Sequence, residues 1–113
     1  MHENVAALLK LGRIPSGEIS AELFEQYDTL LQTADALTYE EAAALTALFS
    51  DGDPDDISDE SNDLNWALLH AVETVYAAEP ARYQELIEQC GSAAWKELLQ
   101  TRLNNAQKEQ GNH

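Results

Sequence analysis

A chain of 113 residues with 44% hydrophobic content is one domain's worth and can build a core, which excludes wholesale disorder and a two-domain layout. Six basic residues against 21 acidic ones leave a net charge of −15, which excludes a protein that grips DNA, RNA or an anionic membrane through positive charge of its own. Alanine, leucine, glutamate and glutamine dominate while isoleucine and valine are scarce, a bias toward helix.

The first predicted helix runs from Glu3 to Leu11 with Val5, Leu8 and Leu9, and Gly12 and Pro15 stop it. Ser16-Gly17 makes a turn, and Ser20 is placed as the N-cap of a second helix, with Glu22 and Glu25 at the positive end of its dipole. Leu23, Phe24, Tyr27, Leu30 and Leu31 recur there at helical spacing. Thr38-Tyr39-Glu40-Glu41 is a capping box, and the helix behind it is expected to carry Leu45, Leu48 and Phe49. Asp51 to Asp63 reads as an acidic loop with little apolar except Ile57. A long helix follows from Asn62 to Ala78, with Leu64, Leu68, Leu69, Val72 and Val75 on its apolar face. Pro80 is expected to open a further helix that reaches Cys90 and closes on Gly91 as a left-handed cap. Ser92 starts the last helix, with Trp95, Leu98, Leu99 and Leu103, which should fray after Asn105 and leave residues 107–113 as a polar, disordered tail. The fold class predicted is therefore all-α, with residues 1–106 forming a single domain of about six short antiparallel helices, either a bundle or a helical-repeat-like array.

Charge is unevenly distributed: from Ile14 to Ala81 there is no lysine or arginine, and most of the acids lie in that stretch. Solubility is the plain reading of such acidity. The other is a basic partner, because self-repulsion on this scale exceeds what solubility needs. Cys90 is the lone cysteine, so no intramolecular disulfide forms, and its neighbours Leu86, Ile87 and Ala94 place it as a small buried group. Met1-His2-Glu3-Asn4 has none of the charge or apolar run of a signal peptide, and no segment approaches the roughly 20 apolar residues of a membrane span. A cytoplasmic location is the expectation.

Chemistry-bearing motifs are sparse. Asp51-Gly-Asp53-Pro-Asp55 resembles the start of a calcium loop, but its sixth and twelfth positions are Asp56 and Asn62 instead of glycine and glutamate. His70 and Glu73 stand three apart on one helix, without the repeated acid and histidine pairs of a metal-binding bundle. No nucleophile elbow or phosphate-cradling glycine loop occurs. The expectation is no enzyme, no cofactor and no metal. Trp66, Leu69, His70 and Glu73 share one helix face, and Trp95, Leu98, Leu99 and Arg102 share another with the same spacing, so Glu73 and Arg102 are predicted to pair if the faces meet.

Those two helices carry a resemblance. Trp66-Ala-Leu-Leu-His70-Ala-Val-Glu73, followed by Trp95-x-x-Leu-Leu-x-x-Arg102-Leu-Asn104, is similar to the C-terminal half of the immunity protein 30 family, helical antidotes encoded beside bacterial polymorphic toxins. The likeness covers about half of the chain, from the acidic loop to Asn105, and its hallmark positions are Leu69, His70, Glu73, Trp95, Arg102 and Asn104. It implies a protein that neutralises a toxin by direct binding. The residues themselves place Trp66, His70, Trp95 and Arg102 in the core. The expected contact surface is Asp53, Asp55, Asp56, Asp59, Glu60 and Asp63, with Glu40 and Glu41, facing a toxin with a basic surface, a nuclease among the candidates. An acidic helical adaptor or DNA-mimic regulator of a basic cellular protein is the alternative.

Overall fold

Among the described residues six helices form, most of them on an apolar stripe read in the sequence and two of them behind a side-chain cap. The computed structural model of the chain describes residues 2–34, 37–50, 52–56 and 58–111; Asp51 and Ile57 therefore lie outside the described residues. In order come α1 (Glu3–Leu11), α2 (Ala21–Gln32), α3 (Tyr39–Leu45), a 3₁₀ turn (Thr46–Leu48), α4 (Asn62–Ala78), α5 (Tyr83–Glu88) and α6 (Ala93–Gly111). No strand occurs among the described residues. The helix starts are chemically determined. Ser20 Oγ accepts the Leu23 amide at 3.1 Å, and at Thr38 both halves of the capping box are present. Gly12 ends α1 with φ +85°, a conformation costly for any residue with a Cβ.

α4 packs against α2 and α3, α1 against the same two helices, and α5 bridges α3 to α6. Leu64, Leu68, Leu69, Val72 and Val75 are all buried on it. Trp95 enters from α6 fully buried, stacked on Phe49 at 5.3 Å and edge-on to Trp66 at 5.4 Å. The shortest dimension of the molecule, 20 Å, is about two helix diameters, so the helices lie two layers deep. The segment between α1 and α2 is held across the 3₁₀ turn. Ile14 donates its amide to Leu48 O, Tyr27 Oη donates to Gly12 O, and Arg13 donates to the carbonyls of Phe49 and Gly91.

Several boundaries differ from those read in the sequence. α3 tightens into the 3₁₀ turn at Thr46, whose hydroxyl donates back to Ala43 O at 2.6 Å, and Phe49 leaves in extended geometry. Leu45, Leu48 and Phe49 still reach the core. Pro80 sits in a turn closed by the Arg82 amide on Glu79 O, so α5 begins only at Tyr83. Gly91 is not left-handed. Its amide donates to Thr46 O, and a Cβ there would stand 3.3 Å from the Ala47 Cα, so glycine serves a close backbone approach here rather than an unusual φ. α6 continues past Asn105 to Gly111.

Candidate functional site

The acidic loop has a regular backbone. Asp56, Asp59 and Asn62 donate their amides to the carbonyls of Asp53, Asp56 and Asp59, a chain of turns with a three-residue step. At each step the leading aspartate accepts hydrogen bonds two residues on: Asp53 from the Asp55 amide, Asp56 from Ser58, Asp59 from Ser61. Asn62 Nδ2 closes the series by donating to the carbonyls of Asp53 and Asp56 at 2.8 and 2.9 Å. Behind it, Asn65 is fully buried and exchanges hydrogen bonds with Ser50. Although little in it is apolar, the loop reaches the core through the buried Ser61 and Asn62, which adjoin Asn65 of α4.

This backbone sorts the carboxylates into two kinds. Asp53, Asp56 and Asp59 are internal acceptors. Asp59 Oδ1 also accepts the Gly17 amide at 3.1 Å, tying the loop to the segment before α2. Ser58, first through its hydroxyl and then its amide, holds the Asp56 carboxyl below its ordinary value. The carboxylates of Asp55, Glu60 and Asp63 are exposed and make no hydrogen bond or ion pair with other described residues. One flank of the loop meets Ile19, Ala21 and Phe24 at the start of α2, across a cleft that Glu60 and Asp63 also line. The other meets α6, where Glu97 shares a cleft with Asp53 and Asp55. Glu97, exposed on α6, extends the acidic surface and was not visible in the sequence. The loop's own signal was readable in the Asp53, Asp56, Asp59, Asn62 spacing, with Asp or Ser two residues after each of the first three.

Glu40 and Glu41 do not belong to that surface. Arg82, which follows the C-terminal end of α4, lies 3.9 Å from Glu40, whereas the loop precedes the N-terminal end of α4. The 17 residues between span about 25 Å. Glu40 is exposed there, but Glu41 is only 2% exposed and turned inward. It accepts amides from Thr38 at 3.0 Å and His2 at 2.7 Å, and His2 Nδ1 contacts both its oxygens at 2.9 Å. The backbone amides, Thr38 first and His2 next, lower its pKa to about 2.

The two hallmark helices meet as predicted at one pair. Arg102 Nε donates to Glu73 Oε2 at 2.6 Å and Nη2 to Oε1 at 2.9 Å, a two-pronged contact between α6 and α4. Leu69 and Trp95 are core residues. His70 is not: it is exposed and tilted against the Trp66 ring at 6.3 Å, and Trp66 and Arg102, also expected in the core, are only half-buried. Asn104 is exposed and accepts only from Gln100, within α6. Cys90 is half-buried, its thiol donating to Ser92 O and raised in pKa by burial. Among the described residues no three of His, Cys, Asp and Glu are grouped so as to hold a metal ion. No helix among them is long and apolar enough to cross a membrane. Compared with known proteins, the chain matches no family model, no curated protein and no solved structure.

Proposed function

We propose that the chain is an immunity protein, a non-catalytic cytoplasmic antidote that binds and neutralises a bacterial toxin carrying a basic surface. The observation that carries the binding reading is the loop itself. Its backbone is held by Asp53, Asp56, Asp59 and Asn62, which leaves Asp55, Glu60 and Asp63 outward and without internal partners. Because the backbone beneath these carboxylates is already held, meeting a basic cleft costs side-chain ordering but less ordering of the loop itself. The charge of −15 accelerates that encounter by electrostatic steering. A nuclease is the toxin class whose substrate-binding cleft carries the matching charge.

The toxin assignment rests on the resemblance of α4 and α6 to the immunity protein 30 family; the Glu73–Arg102 contact joins two of the positions that carry that resemblance. The test is co-purification with the product of the open reading frame immediately upstream in the source genome, at low and at high salt. The proposal expects a complex whose association slows steeply as salt rises. Absence of a complex with that product, together with capture of a basic cellular protein unrelated to any toxin, would favour an adaptor or DNA-mimic regulator.

A further inference from the structure

A second surface of different chemistry lies on α1 and α2, apart from the acidic loop. The two helices pack side by side, and a groove of about 700 Å³ with a mostly apolar lining runs between their outer faces. Ala7, Leu11 and Leu30 form its floor and are each only half-buried. Leu11 and Leu30 touch the core from below, so the floor is supported and not free to collapse into the gap. Lys10 rises on the α1 side, and Glu22 and Glu25 rise on the α2 side. All three are exposed, and none is ion-paired with another described residue.

The groove selects its occupant in three ways. Its walls are helices whose backbone groups are bonded internally, so no strand edge is offered and an occupant that bonds its own backbone, as a helix does, suits it better than an added strand. Its length follows from the 9 residues of α1 and the 12 of α2, roughly 13 to 18 Å, or two to three turns of a docked helix. Its charges are complementary to an amphipathic segment with basic side chains over Glu22 and Glu25, and an acidic one is accepted only toward Lys10. A second copy of this chain is disfavoured because two molecules of charge −15 repel. We propose that the α1–α2 groove is a docking site for a short amphipathic helix of a partner protein, apolar face down and basic flank over α2. This inference stands independently of the acidic-loop reading.

The experiment titrates an amidated Leu/Lys amphipathic peptide of about 12 residues into the full chain, followed by amide chemical shifts. A scrambled peptide and a Leu/Glu counterpart serve as controls. Shifts are expected at Ala7, Leu11 and Leu30, with the charge reversals Glu22→Lys and Glu25→Lys together weakening binding by about tenfold or more and favouring the Leu/Glu peptide. Thr29→Arg, an exposed change on the same wall, should weaken it as well. Neutralising Asp55, Glu60 and Asp63 should weaken peptide binding less than reversing Glu22 and Glu25 does, because none of the three lines the groove, although Glu60 and Asp63 border the start of α2. Shifts centred on the acidic loop, equal binding of the scrambled peptide, or a dimer without peptide in sedimentation would each overturn the proposal.

Discussion

Removing Glu73 and Arg102 singly and together should reveal a coupling that neither change reports alone. Arg102→Met deletes both hydrogen bonds but keeps the packed aliphatic stem, and Glu73→Gln removes the negative charge while keeping the shape. The pair is two-pronged, yet its side chains are 40% and 26% exposed, so solvent screens it and the figure belongs near the upper end for surface pairs. A coupling of about 1 kcal/mol follows. With an m-value of roughly 2 kcal/mol/M, the double variant should unfold about 0.5 M urea later than the sum of the single losses implies. In 1 M salt, where the Debye length is about 3 Å, the coupling should shrink. Urea titrations of the four proteins at two salt concentrations give both numbers. Coupling below about 0.3 kcal/mol at low salt is indistinguishable from additivity and would refute the claim that this contact ties α6 to α4.

Four further outcomes follow from the same geometry. The Glu41 carboxyl is lowered from an ordinary 4.5 to about 2, so the stability it adds is complete above pH 4.5 and lost as pH falls toward 2; Glu41→Gln should flatten acid unfolding across that window, and an unchanged acid limb by circular dichroism would contradict the clamp with Thr38 and His2. Gly91→Ala places a Cβ 3.3 Å from Ala47 backbone that cannot swing away; thermal melts should show a loss of about 1 kcal/mol, near 5 °C in Tm. Asp55→Asn, Glu60→Gln and Asp63→Asn combined should leave Tm within about 1 °C while slowing association with a basic partner. Asp59→Asn should lower Tm, because Gly17 and Ser61 both donate to that carboxylate; equal thermal behaviour of the two variants would erase the distinction between internal and free acids.

Helix identity was legible wherever local chemistry decides it. The stripes of α1, α2 and α4, the Ser20 cap and the Thr38–Glu41 box need nothing beyond their own residues. The Glu73–Arg102 contact was also readable, because equal spacing on two helix faces puts the charges opposite each other if those faces meet. What escaped depends on distant backbone. Gly91 resembles a helix cap in sequence, and only the approach of Ala47 gives its real role. Glu41 sits beside Glu40 in an acidic pair, but the amide of His2, 39 residues away, draws it inward. His70 shares a face with Trp66 and Glu73 but sits at its solvent edge, where the Trp66 ring lies against it, and spacing alone does not separate the edge of a face from its centre. The loop looked irregular because its order comes from side chains accepting backbone amides, a pattern that hydropathy does not register.

Survival of cells expressing the upstream reading frame, with and without this chain, tests the proposed antidote role most directly. The account predicts that the neighbour kills when expressed alone, that this chain restores growth, and that neutralising Asp55, Glu60 and Asp63 weakens the rescue. A harmless neighbour, or a lethal one whose killing this chain does not reduce, would contradict it.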